Sequence, residues 1–195
     1  MPRALILTES SAASFVAPEP LRLALLAAGY SVIDEITEPQ RLLKRTTAIE
    51  PEVLVIATSA PSKALFEALR ALHDNAPCTV AVYSEDANEA HIEAAAACGV
   101  QIWETEGFSG THLAAQLTAA RARFKLVHGL RAALADAEEK LEERKLVDRA
   151  KGILMQSRRM SEHEAYAALR KLAMEKKLKM GAIAEQIINT AQLLA

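Results

Sequence analysis

Over its first 123 residues the chain alternates short, unbroken apolar runs with longer stretches that place apolar residues every three or four positions. The short runs are Ala4-Leu5-Ile6-Leu7, Tyr30-Ser31-Val32-Ile33, Val53-Leu54-Val55-Ile56, Thr79-Val80-Ala81-Val82-Tyr83 and Val100-Gln101-Ile102-Trp103. Runs this short and this apolar fit strands covered on both faces. Between them, 20–28, 39–49, 63–73 and 89–98 carry helical spacing, and a fifth helix begins near Thr111. In the first helix Leu21, Leu25 and Ala28 share a face, with Leu23 and Leu26 close by; Gly29 and Gly99 stand where helices stop. Five strands alternating with five helices predict a doubly wound α/β domain around a parallel sheet. Ligands of such sheets sit at the carboxyl ends of the strands. Those ends carry Thr8-Glu9-Ser10, Ala57-Thr58, Ser84-Glu85 and residues 104–106.

The pattern then changes. No proline occurs between Thr111 and Gln156, and Leu130, Leu134, Ala137 and Leu141 are spaced 4, 3, 4, with charged residues around them. That spacing is a coiled-coil seam. It predicts a long helix that leaves the domain and pairs with a second copy, Gly129 being a flexible point on the way. After a turn at 157–160, Ser161 and Glu164 have capping-box spacing. Ala165, Leu169, Leu172 and Ala173 form one buried stripe, and Ile183, Ala184, Ile187 and Ile188 another; Ile153 and Leu154 meet them from the preceding helix. A three-helix all-α unit follows, with Met155 and Met174 read as core and Tyr166 left open between core and surface.

Charge separates the two halves. From Arg144 to the end there are eleven basic residues against five acidic ones, a net +6, whereas the rest of the chain carries −8. A basic tail behind an acidic front suits a polyanionic partner. The unit is expected to leave Lys151, Arg158, Arg159, Arg170, Lys171, Lys177 and Lys179 facing outward. Gly152 breaks a helical run at a cost of about 1 kcal/mol, which either a close backbone approach or helix packing would explain. Aromatics make up only 4% of the chain, so arginine planes are the candidates for stacking on bases, with Arg158, Arg159 and Arg170 foremost.

Several classes drop out. His73, His91, His112, His128 and His163 are scattered, with no nucleophile beside them, no phosphate-binding glycine loop and no metal-ligand spacing. The chain reads as neither an enzyme nor a holder of a metal or cofactor. Cys78 and Cys98 read as reduced buried thiols of a cytoplasmic protein. No apolar run approaches the ~18 residues of a membrane span, and the N-terminal run is too short for a signal peptide.

The order of elements and the loop residues over 3–123 resemble a response-regulator receiver domain. In that family acidic residues after the first strand hold Mg²⁺, an aspartate ending the third strand accepts a phosphoryl group, and a Ser or Thr and a Lys end the fourth and fifth. By that resemblance Glu9 stands for one acidic residue, Ala57 falls on the acceptor, Ser84 on the hydroxyl and Glu106 on the lysine. No aspartate occurs between Pro51 and Leu72. A degenerate receiver, unable to form an acyl phosphate, is the expectation.

Arg149-Ala150-Lys151-Gly152-Ile153-Leu154-Met155, then Ser161-x-x-Glu164-Ala165, Leu169-Arg170, Ala173-Met174 and Ile183-Ala184, resemble an ANTAR domain, the RNA-binding output module of bacterial antiterminators. The resemblance spans about 140–193. It implies capture of paired hairpins in a leader mRNA, and the whole layout looks most like the NasT-type regulators of nitrate assimilation, held by a sensor protein. The expected organisation is therefore a pseudo-receiver over 1–123, a coiled-coil linker over 124–143 and an ANTAR unit over 144–195, acting as a homodimer. Alternatives are an amidase-type antiterminator held by a ligand-sensing partner, a DNA-binding regulator, and a pure interaction protein.

Overall fold

The computed structural model describes residues 1–9, 18–106 and 110–193; Ser10, named above at the first strand end, lies outside them. The chain divides into two compact units, Met1–His128 and Gly129–Ala195.

In the first unit β1 (Arg3–Thr8), β2 (Ser31–Ile36), β3 (Val53–Thr58), β4 (Thr79–Ser84) and β5 (Val100–Glu104) form one parallel sheet in the order β2-β1-β3-β4-β5. The helices are α1 (Pro18–Ala27), α2 (Leu42–Ile49), α3 (Lys63–Asn75), α4 (Glu89–Ala97) and the start of α5 (Gly110–Arg158). The helix expected over 39–49 splits into a 3₁₀ turn, Pro39–Arg41, and α2.

Strand side chains alternate between two cores, as the two-residue pleat requires. Ala4, Ile6, Val53, Val55, Ala57, Ala81 and Tyr83 face Leu21 and Leu25 of α1 and Leu113, Leu117 and Ala120 of α5. Leu5, Leu7, Leu54, Ile56, Val80 and Val82 face Leu42 of α2 and Leu65, Leu69 and Leu72 of α3. Leu23 and Leu26, by contrast, are exposed on α1. Both cysteines are buried and free, and burial pushes the Cys78 thiol up to about 12, which keeps it protonated and unreactive. At Gly99 (φ +81) a Cβ would lie 2.4 Å from His73 Nδ1, so that helix stop needs glycine for space as well as conformation.

In the second unit, α5 packs with α6 (Glu162–Lys176) and α7 (Met180–Leu193). Val147, Ala150 and Leu154 of α5 meet Ala165, Leu169 and Ala173 of α6 and Ile183, Ala184 and Ile188 of α7. Ile153, Leu172 and Ile187 are only partly buried, and the α5 contribution begins two turns earlier than the sequence suggests, at Val147. The capping box is present: Glu164 N donates to Ser161 Oγ (3.3 Å) and Ser161 N to Glu164 Oε2 (2.8 Å). α6 closes on Lys177 in the left-handed conformation (φ 54). α5 runs as helix through Gly129 without a break.

Candidate nucleic-acid interface

At the carboxyl edge of the sheet, Glu9 is buried and both its carboxylate oxygens are taken. Thr58 Oγ1 donates to Oε2 (2.7 Å), and Ser62 Oγ donates to Oε1 (2.5 Å). Ser62 is at the same time the N-cap of α3, its Oγ accepting from Leu65 N (3.1 Å). Neither hydroxyl partner was foreseen from the sequence, although Ser62 stands where an N-cap before the helical run could have been read. Ala57 is fully buried, and Ser84 Oγ donates to Ser59 O (3.4 Å) while accepting from Asp86 N (3.1 Å). The loop after Ser84 is pinned further: His91 Nδ1 lies 2.5 Å from Asp86 Oδ2, and Trp103 Nε1 donates to Asp86 O (2.9 Å). The hydrogen bond from His91, then that from Asn88 N, holds the Asp86 carboxyl below its ordinary range. Glu106 is not brought to this cluster; it is exposed beyond the end of β5. Instead Glu104 Oε2 accepts from Gln116 Nε2 (3.2 Å), whose amide oxygen takes the Tyr83 hydroxyl (3.3 Å).

A receiver-type Mg²⁺ does not fit this donor set. Mg²⁺ keeps several waters and is held through one or two carboxylates with oxygens free to reach it. Among the described residues the carboxylate at this position is Glu9, whose two oxygens are already taken by hydroxyls, and no three His, Cys, Asp or Glu side chains converge.

In the helical unit the cations fall into two groups. Lys151 does not face outward as expected. Its Nζ lies 2.7 Å from Asp148 Oδ1 and 2.8 Å from Glu162 Oε1, and its side chain is only 15% exposed. The hydrogen bonds to Asp148 and then Glu162 raise its pKa, and the same contact lowers that of Asp148. The cause is local: Asp148 is three residues back on the same helix, and Glu162 opens α6 across the turn. Lys179 is likewise tied, donating to Glu139 Oε1 (2.7 Å). One turn along α5, Glu143 Oε1 accepts from Gly181 N (3.0 Å), capping α7 from outside. Lys171 has a loose partner in Glu175 (3.9 Å). Arg149, Arg158, Arg159, Arg170, Lys176 and Lys177 are exposed and have no carboxylate partner among the described residues. Arg149, named above only within the ANTAR motif, and Lys176 are not among the cations expected to face outward; their lack of an i±3 or i±4 carboxylate was the available signal.

Residues 135–188 match the ANTAR domain family. The chain carries an ANTAR domain. It is similar over most of its length to the transcriptional regulatory protein PdtaR of Mycobacterium tuberculosis, 25% identical over 162 residues, which is 83% of this chain and 79% of that protein. It is similar to the nitrate regulatory protein of Klebsiella oxytoca at 43% identity over 60 residues, 31% of this chain and 15% of that one. The sheet unit is similar in fold to the signal receiver domain of a modulated diguanylate cyclase from Desulfovibrio desulfuricans, with a TM-score of 0.53 at 15% identity, covering 65% of this chain and 98% of that domain. The relatives are transcriptional regulators, and this chain is a regulator with a receiver fold and an ANTAR output rather than an enzyme.

Within the ANTAR domain, a Cβ placed on Gly152 would meet nothing within 4 Å, so helix packing does not account for that glycine. Met155 and Met174, read as core, are exposed; the α6 core stripe is Ala165, Leu169 and Ala173, and Met174 lies one position off it. The seam leucines touch no core: Leu130, Leu134 and Leu141 are 62%, 59% and 53% exposed, and Val127, three residues earlier, is exposed too. Among the described residues no helix is long and apolar enough to cross a membrane.

Proposed function

We propose that the protein is an RNA-binding transcription antiterminator whose ANTAR domain captures paired hairpins in a leader mRNA. The observation that carries this is the set of arginines in the ANTAR unit, Arg149, Arg158, Arg159 and Arg170, that are exposed without a carboxylate partner. Arginine is the side chain suited both to phosphate oxygens and to the faces of unpaired bases. Lys177 and the loosely paired Lys171 add charge, and Gly152 leaves backbone open to close approach.

The receiver fold is a pseudo-receiver in this reading. Ala57 has no carboxylate to take a phosphoryl group, and Glu9 is closed by Thr58 and Ser62. Control then comes through a contact, and a sensor protein that sequesters the regulator is the proposed partner. The likeness to a nitrate regulatory protein supports nitrate or nitrite assimilation as the process. The exposed seam of α5 supports a homodimer, and the working division is 1–123, 124–143 and 144–195.

Titration of the purified protein with a two-hairpin leader RNA, and with duplex DNA of equal length, tests the central claim. Tight, salt-dependent binding to the RNA, weakened in Arg158→Ala and Arg170→Ala, is expected. Preference for the duplex would replace this reading with a DNA-binding regulator. Phosphoryl label appearing from a small phosphodonor would sink the pseudo-receiver.

A further inference from the structure

Each core residue of α6 is followed by an exposed one. Ala165, Leu169 and Ala173 are buried, and Tyr166, Arg170 and Met174 stand about 100° further round the helix, at one-turn steps. Tyr166 is the single Phe, Tyr or Trp between 129 and 195. A small three-helix unit has most to gain from burying its one large ring. The ring is nevertheless 41% exposed, and its hydroxyl has no hydrogen-bond partner among the described residues. Met174 is 70% exposed. With His163, Ala167, Lys171 and Glu175 these three line a shallow concavity of about 460 Å³.

Two of the acidic residues of α6 are occupied elsewhere, Glu162 by Lys151 and Glu164 in the capping box, while Glu175 lies in the concavity itself, 3.9 Å from Lys171. The Arg170 guanidinium is left with no carboxylate to hold it.

We propose that Tyr166, Arg170 and Met174 form a ladder that takes unpaired bases of an RNA loop. The Tyr166 ring receives one base, the Arg170 plane receives a neighbour, Met174 closes the apolar end, and Lys171 meets the intervening phosphate. This rests on the RNA-binding reading and adds to it the site of base contact and an aromatic residue. Spacing favours a loop over a duplex. Rungs four residues apart along a helix are separated by about 6 Å, whereas stacked bases repeat at about 3.4 Å, so the ladder suits bases that are splayed apart. Charge favours RNA over a protein groove, because the face offers cations and flat surfaces to a polyanion.

The test titrates full-length wild type, Tyr166→Leu, Tyr166→Phe and Arg170→Lys with a two-hairpin leader RNA over a salt series, and repeats it with each loop nucleotide made abasic in turn. Tyr166→Leu is expected to weaken binding roughly tenfold or more, the scale of one lost stack, with the salt slope and melting temperature unchanged. Tyr166→Phe should bind as wild type, and Arg170→Lys should keep the salt slope while losing several-fold in affinity. One abasic position should weaken wild type but not further weaken Tyr166→Leu, the mark of a shared contact. Equal binding by wild type and Tyr166→Leu would overturn the ladder and leave the RNA reading standing. Wild type that binds no hairpin RNA would overturn that reading and the ladder with it.

Discussion

Lys151 Nζ sits 2.8 Å from Glu162 Oε1, joining the last turns of α5 to the first turn of α6 across the bend at Arg159. The lysine of the ANTAR signature is therefore a clamp between helices in this structure, held on its other side by Asp148. A clamp and a phosphate contact give different salt dependences. Removing a phosphate contact lowers the slope of log affinity against log salt by about one. Lys151→Ala is expected to weaken RNA binding with the slope kept, and Glu162→Gln to weaken it similarly. Arg158→Ala and Arg170→Ala should each lower the slope by about one. A slope that falls in Lys151→Ala would return Lys151 to the phosphate-binding set.

The same clamp predicts a pH response. Asp148 titrates below its ordinary range because Lys151 donates to it, and Glu164 does so because Ser161 N and then Ser161 Oγ donate to it. Folded pKa values below the unfolded ones mean stability that is complete above the ordinary carboxylate range and is lost as pH falls through the folded values. Lys151 is shifted upward, so its share is present below the ordinary lysine range and is lost as pH rises through its folded value. Carboxyl chemical shifts followed from neutral to acid pH should place Asp148 low in wild type and return it upward in Lys151→Ala. An unchanged midpoint would show that the contact does not persist in solution.

Gly152 costs helix stability, and among the described residues nothing lies within 4 Å of a Cβ placed there. Gly152→Ala is expected to stabilise the fold by about 0.8–1 kcal/mol in urea unfolding. Its RNA affinity should fall nonetheless, because the added methyl stands where backbone is to be approached. Gly129→Ala, also in open space on α5, should stabilise similarly and leave RNA affinity alone. Unchanged affinity in Gly152→Ala would remove Gly152 from the interface.

Gly181 is the opposite case. A Cβ there would lie 2.9 Å from Glu143 Cγ, so Gly181→Ala displaces the carboxylate that caps α7. Glu143→Ala is expected to cost about 1 kcal/mol, the scale of a lost N-cap, and Gly181→Ala should lose a similar amount against the helix gain expected of Gly152→Ala, leaving little or no net stabilisation. If the two losses add in the double variant, the cap is not what Gly181 protects.

Alternation and period were legible because they are set by burial alone. The apolar runs gave the five strands, and Ser161 with Glu164 gave the start of α6, with bounds that differ by only a few residues. What the linear pattern does not carry is which charges meet across a turn. Lys151 and Lys179 look as free as Arg170 until α6 and α7 fold back and present Glu162 and place Lys179 against Glu139. The closing of Glu9 by Thr58 and Ser62 depends in the same way on residues about fifty positions apart. Met174, read as core, and Tyr166, left open, both lie outside because a helix with a narrow, alanine-rich core stripe leaves large neighbours beside it. Glu106 was placed by resemblance to a strand end that β5 does not reach.

The seam on α5 has a consequence in solution. Val127, Leu130, Leu134, Ala137 and Leu141 repeat at 3 and 4, and the four large members are exposed, an apolar stripe that a lone helix would leave in water. The flanking Lys140 and Lys145 are satisfied within their own helix, by Asp136 (2.7 Å) and Glu142 (2.6 Å), so the leucines supply the attraction between copies. Burying one leucine side chain contributes about 1.5–3 kcal/mol, and at a two-fold interface one substitution is felt twice. Leu134→Glu is therefore expected to raise the dimer dissociation constant roughly 100-fold or more, read by sedimentation across a concentration series. Binding to a two-hairpin RNA should drop with it, while a single hairpin is held as well as by wild type. Monomeric wild type at every concentration, with unimpaired two-hairpin binding, would mean that the RNA itself brings the copies together.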